Sequence, residues 1–179
     1  RPDHADPIPE GLDWQGWLGV ASSRPFIGNG YYHPGNWRKR LDFGTGTFGD
    51  MGCHILDPVY ESLALTAPKT VRSDGDAPDD DSWGPNDRVH YVFPKTPRTA
   101  GELSLHWYHG GNRPGDEVKA LLDGRKLMDQ GSIYIGTEGV LYSPYIAAPV
   151  LLPEEKFKET KLPEPGGLNH WHQFLDACR

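Results

Sequence analysis

After Leu65 the apolar residues of this chain change their spacing, and no other feature constrains the fold as tightly. In Arg88–Phe93 and Glu102–Tyr108 they fall on alternate positions: Val89, Tyr91 and Phe93, then Leu103, Leu105 and Trp107. Such alternation sets one face of a strand on a core and the other toward solvent. Ser132–Ile135 and Val140–Tyr142, joined by Gly-Thr-Glu-Gly, predict a hairpin, and Thr70–Arg72 an edge strand. Before the change, Met51, Ile55 and Val59, with Leu56 and Leu63, keep helical spacing over Gly49 to about Leu65. Pro58 removes the bond to the carbonyl of residue 54, so this helix is expected to kink near His54. A last helix opens at Asn169 as its N-cap. A long helix, a succession of strands and a closing helix predict an α+β fold, its mainly antiparallel sheet carrying helices on one face.

The chain has 179 residues, enough for one domain with a real core. Glycine (22) and proline (17) exceed a fifth of it, 36% is hydrophobic, and mean hydropathy is −0.63. Six Trp, eight Tyr and six Phe are too many aromatics for a solvated coil. A net charge of −7, with no basic patch beyond Arg38-Lys39-Arg40, argues against nucleic acid or an anionic membrane as partner. No apolar run approaches the ~20 residues of a membrane span. Two distant cysteines, Cys53 and Cys178, cannot staple a domain of this size. Residues 1–36, rich in Pro, Gly and aromatics, read as an extended arm with one short helix near Asp13–Leu18. Residues 73–87 read as a solvated acidic loop without the ligand pattern of a calcium loop. Both ends read as cut from a longer protein.

Gly44, Gly46 and Gly49 match G-x-G-x-x-G, the phosphate loop of dinucleotide-binding folds. The context fails on both sides. The basic run before Gly44 is no buried strand, and no acidic residue stands about twenty positions on. The same stretch, FGTGTFGDMGCH, also reads as the start of a helix with Asp50 in its first turn and His54 on the same face. A carboxylate beside an imidazole can hold its tautomer and raise its basicity, as proton transfer requires. Gly52 between them is expected to leave that side bare for another molecule. Alternatively, Asp50 only caps the helix and His54 packs on an aromatic ring.

Trp37 and Arg38 lie on the approach to this loop, where an indole face and a guanidinium fork suit hydroxylated substrates. His33, Asn36, Tyr108 and His109 are further candidate contacts, the last two ending a strand before Gly110-Gly111. His106 with His109, and His170 with His172, lack the three or four converging ligands of a metal site, so none is expected. Cys53 points about 100° away from His54 around the helix and is expected in the core.

The run NWRKRLDFGTGTFGDMGCHILDP resembles the signature of the substrate domain in the Gfo/Idh/MocA oxidoreductases. IPEGLDWQGWLGVASSRPF, LHWYHGGNRP, GSIYIGTEGVLYSP and NHWHQFLDACR resemble, in order, that family's entry arm, strand-and-loop, hairpin and late helix. The resemblance implies a large open sheet that carries substrate contacts and a homo-oligomer interface. It also implies a separate N-terminal Rossmann domain that holds NAD or NADP and the catalytic lysine. Residues 1–36 would then be the arm from that missing domain, and 37–179 the substrate-binding and oligomerisation domain. By the same resemblance Asp50 and His54 are the catalytic pair, His54 accepting a proton from a sugar, inositol or polyol hydroxyl. This stretch alone would bind no cofactor and be inactive. A stand-alone dimerisation or carbohydrate-binding module stays open, its interface the polar strand side with Arg88, His90, Glu102, Ser104 and His106. So does part of an NAD-dependent glycoside-cleaving enzyme. Localisation stays open between cytoplasm and folded export.

Overall fold

The computed structural model describes residues 1–163, 166, 167 and 169–179. Among them lie five helices and two three-stranded antiparallel sheets. The α+β class and the antiparallel pairing stand. The strands divide between two sheets because the chain leaves the first at Gly110-Gly111 and runs through helical turns before the second begins.

The N-terminal segment builds a small aromatic core. Helix α1 (Trp14–Leu18) is capped by Asp13, whose Oδ1 accepts from the Gly16 amide at 2.9 Å. It buries Trp14 and Leu18 against Ile27 and Tyr32, with Trp17, Phe26 and Phe43 around them. The Trp14 indole N–H donates to the Arg24 carbonyl at 2.8 Å, so the buried ring keeps its polar group satisfied.

Helix α2 (Gly46–Leu63) is the central element. It carries Pro58 within its span, as the spacing required, but begins three residues earlier than expected. Its carboxyl end turns through Ala64 in the left-handed region (φ 52°), where glycine is usual. The freed carbonyls find donors instead. Arg98 Nη1 reaches Glu61 and Ser62 at 3.1 and 3.0 Å, and Thr96 Oγ1 reaches Leu63 at 2.7 Å.

The first sheet orders β1 (Thr70–Ser73), β2 (Arg88–Phe93) and β3 (Leu103–Tyr108), with His90 opposite His106 and Val89 opposite Trp107. Its apolar face meets α2: Val59, Leu65 and Phe93 are buried together, and Phe48 sits edge-on to Trp107 at 5.0 Å. β1 is exposed throughout, as an edge strand.

Helix α3 (Asp116–Lys119) precedes the second sheet: β4 (Gly131–Ile135), β5 (Val140–Pro144) and β6 (Val150–Leu152). The expected hairpin is β4–β5, closed by the Gly136 amide on the Gly139 carbonyl at 2.9 Å. Leu122, Val140, Tyr142 and Leu152 form its core, and α4 (Glu154–Phe157) follows. Helix α5 (His170–Ala177) starts at Asn169, whose side chain accepts from the amides of Trp171 and His172, as its capping role predicts.

Most of the acidic loop 73–87 is exposed, as a solvated loop should be. Asp81 is the exception, only 8% exposed. It accepts from the Tyr31 hydroxyl and pairs with Arg40 at 3.4 Å, while the Arg40 guanidinium lies 3.6 Å over the Tyr31 ring. A buried carboxylate needs such partners, and the N-terminal segment supplies them. Cys53 corrects a second expectation, since it is exposed. The buried positions of α2 are Gly46, Gly52 and Val59, which turns Cys53 outward.

Candidate functional site

The glycine-rich stretch makes no phosphate cradle. A 3-10 turn, Asn36–Lys39, precedes it rather than a strand. A Cβ on Gly44 would run into the Arg38 backbone, and one on Gly46 (φ +67°) would press on Trp83. These glycines allow close packing of the protein on itself. The Trp83 indole completes the seal, donating to the Gly44 carbonyl at 2.8 Å. A nicotinamide dinucleotide therefore does not fit this loop, which lacks the preceding strand and is packed against Arg38 and Trp83.

What the stretch does position is Asp50. Because α2 starts at Gly46, Asp50 lies beyond the first turn and caps nothing, which corrects the helix-dipole reading. Its Oδ1 accepts from Arg38 Nε at 3.1 Å. The same guanidinium lies over the Trp37 ring, 4.4 Å from its centroid. Trp37, Arg38 and Asp50 thus form one contiguous, partly exposed group where the 3-10 turn meets α2.

His54 follows Asp50 by one helical turn and is exposed. Its side chain is not tied to Asp50. Its neighbour is Tyr145, which follows the end of β5, with ring centroids 6.2 Å apart and tilted by 56°. Tyr145 is itself 42% exposed, and its amide is held on the Gln130 carbonyl at 3.0 Å. The imidazole therefore stands between the helix and the second sheet. Gly52 does not leave this surface bare. Two residues along a helix turn through about 200°, and Gly52 is buried on the far side, near Phe48.

The remaining candidates disperse. Asn36 spends its amide on the Gly30 carbonyl at 2.7 Å, holding a turn. His33 is exposed and borders a separate hollow of about 440 Å³ lined by Asp6, Pro9, Phe26 and Asn29. Tyr108 stacks on His106, on the face of the first sheet opposite Trp107. His109 is half-buried, and burial pushes its imidazole pKa down against the opposing pull of Asp87.

A family model described as oxidoreductase family, C-terminal alpha/beta domain, matches residues 3–99. The chain belongs to the Gfo/Idh/MocA oxidoreductase family. The matched span of this Gfo/Idh/MocA domain covers the N-terminal core, the Trp37–Arg38–Asp50 group, His54 and the first two strands. No curated protein matches the chain closely enough to add a substrate or partner.

Sequence reasoning missed two members of this neighbourhood, Trp83 and Tyr145. Both signals were present: an aromatic inside an acidic Pro/Gly loop, and one directly after the proline that ends a hairpin strand. Among the described residues no group of three or more His, Cys, Asp or Glu side chains is arranged to hold a metal ion.

Proposed function

We propose that this Gfo/Idh/MocA domain is the substrate-facing half of an NAD(P)-dependent oxidoreductase acting on a hydroxyl or carbonyl of a sugar, inositol or related polyol. In this reading residues 1–36 lead from a Rossmann domain that these residues do not contain, and 37–179 bind substrate and assemble the homo-oligomer. The observation that carries it is the shared face of α2, where Arg38 holds Asp50 and His54 stands open one turn later beside Tyr145.

The division of labour follows from the contacts. Arg38 keeps Asp50 oriented and, lying on Trp37, presents a cation and an indole face to a hydroxylated ring. His54 takes the proton from the hydroxyl oxygen as the carbon bearing that oxygen is oxidised, or returns it in the reverse direction. Its exposure leaves both ring nitrogens free to do so. Oxidation belongs to a nicotinamide bound outside this chain, so these residues alone are expected to be inactive.

The test is His54→Ala in the enzyme joined to its nucleotide-binding domain. A general base contributes about 10²–10⁴-fold, so kcat should fall by at least a hundredfold with cofactor affinity unchanged. Full activity in that variant would end the proposal.

A further inference from the structure

On the face of the first sheet turned away from α2, His90 and His106 stand directly opposite each other in β2 and β3. Their rings meet edge to face, centroids 4.6 Å apart, with the two Nδ1 atoms 2.5 Å from each other. Two lone pairs or two N–H groups cannot face each other at that distance, so one ring donates its N–H to the lone pair of the other, or a cation takes that proton's place between two lone pairs. His90 is also backed from behind. Its Nε2 is closed off from solvent, and its near polar neighbour is Asp74 Oδ2 at 3.1 Å, close but off the line of a good hydrogen bond. Arg72 and Arg88 reach the same carboxylate at 2.9 and 3.5 Å, so Asp74 offsets part of their charge.

We propose that His90 and His106 form a two-imidazole site for a divalent transition-metal ion such as Zn²⁺ or Ni²⁺, with Asp74 as the positioning carboxylate. Both Nδ1 atoms would ligate, and water would complete the coordination. Ligation through Nδ1 places the proton of His90 on Nε2, facing Asp74. A small turn of the ring that brings this N–H into line with Asp74 gives the carboxylate–histidine–metal arrangement that fixes a ligand's tautomer and raises its basicity. Two nitrogens bound to one ion at ~2.0–2.1 Å stand roughly 2.9–3.4 Å apart. The rings therefore need to part by less than an ångström, and His106, the more exposed of the two, lies on a solvated strand surface. Tyr108, stacked on His106, and Ser104 flank the site on the same strand face. Imidazole suits zinc and nickel, whereas calcium and magnesium prefer oxygen ligands.

The site is independent of His54, and its test needs neither substrate nor cofactor. The 179-residue chain is titrated with ZnCl₂ in a non-chelating buffer, by calorimetry and by NMR of the imidazole nitrogens. The expected result is one saturable equivalent that moves the Nδ1 resonances of His90 and His106 and leaves those of His170 and His172 in place. His106→Ala should abolish that equivalent, and Asp74→Asn should weaken it about tenfold. Absence of saturable binding overturns the proposal, leaving a shared proton as what holds the pair together. Binding that persists in a His90→Ala/His106→Ala variant, or shifts confined to other histidines, overturns it equally. The wild-type NMR readout decides the matter even where a variant fails to fold.

Discussion

Arg38 donates to Asp50 at 3.1 Å while its guanidinium rests on Trp37, so one side chain couples a turn to a helix across the candidate site. Both partners are more than a third exposed, 45% and 35% at the side chain. Such an ion pair contributes less than about 1 kcal/mol to folding. Arg38→Met and Asp50→Asn should each leave urea stability within that margin. Under the proposed function both lower kcat/KM of the whole enzyme, and the double variant should lose less than the product of the two single losses. Additive losses in a double-mutant cycle would show that the pair does not act as a unit.

Asp81 is the opposite case. Its side chain is 7% exposed and that of Arg40 only 14%, with the Tyr31 hydroxyl as third partner. Removing one member of a buried pair strands the other, at a cost of about 3–5 kcal/mol. Asp81→Ala should therefore destabilise the chain by roughly 3 kcal/mol in urea unfolding. The loop 73–87 would also come away from the N-terminal segment, seen as new protease cleavage between them. Unchanged stability would mean that Asp81 is solvated like most of the loop around it.

Much of this architecture is legible in the sequence, because period and capping are local. Alternation in Arg88–Phe93 and Glu102–Tyr108 marks β2 and β3, and Asn169 marks the start of α5. The errors concern what a residue meets across the fold. Asp81 lies in a stretch of acidic residues that reads as surface, and only the approach of Arg40 and Tyr31, 41 and 50 residues away, buries it. Cys53 reads as core until the helix phase is set by Gly46, Gly52 and Val59. The Asp50–His54 spacing is visible in the letters. The partners that define the site, Arg38 for one and Tyr145 for the other, come from a preceding turn and a distant strand end.

Alkaline solutions should weaken the fold. Burial pushes the phenol pKa of Tyr31 up, with its bond to Asp81 adding to the effect, and burial raises Tyr134 against its bonds to Ser62 and Ser132. In unfolded chains these phenols ionise near pH 10, while the native chain still holds their protons. Above that value the native state binds more protons than the unfolded one, so stability falls as pH rises. Below it the contribution is fully present. Urea midpoints measured at rising pH should begin to drop near 10, and Tyr31→Phe should lessen the drop. A flat profile would remove the basis for a buried Tyr31 hydroxyl.

Gly110 allows the chain to leave β3 beside His109. Its φ of +70° lies in the region that side chains avoid, and a Cβ there would strike the Pro85 carbonyl oxygen and the Asn86 backbone. Asn86 is committed at this point, its Oδ1 accepting from the Gly111 amide at 2.6 Å, and the His109 amide is bound to the Asp87 carbonyl at 2.9 Å. The backbone struck by the new methyl group is thus pinned and cannot give way cheaply. Strain of this kind costs about 1–3 kcal/mol before the clash is added. Gly110→Ala should destabilise the chain by at least about 2 kcal/mol, well beyond the effect of Gly101→Ala, where a Cβ meets open space. Equal midpoints for the two variants in urea would show that the 85–87 segment yields freely, and that it does not hold His109 in place.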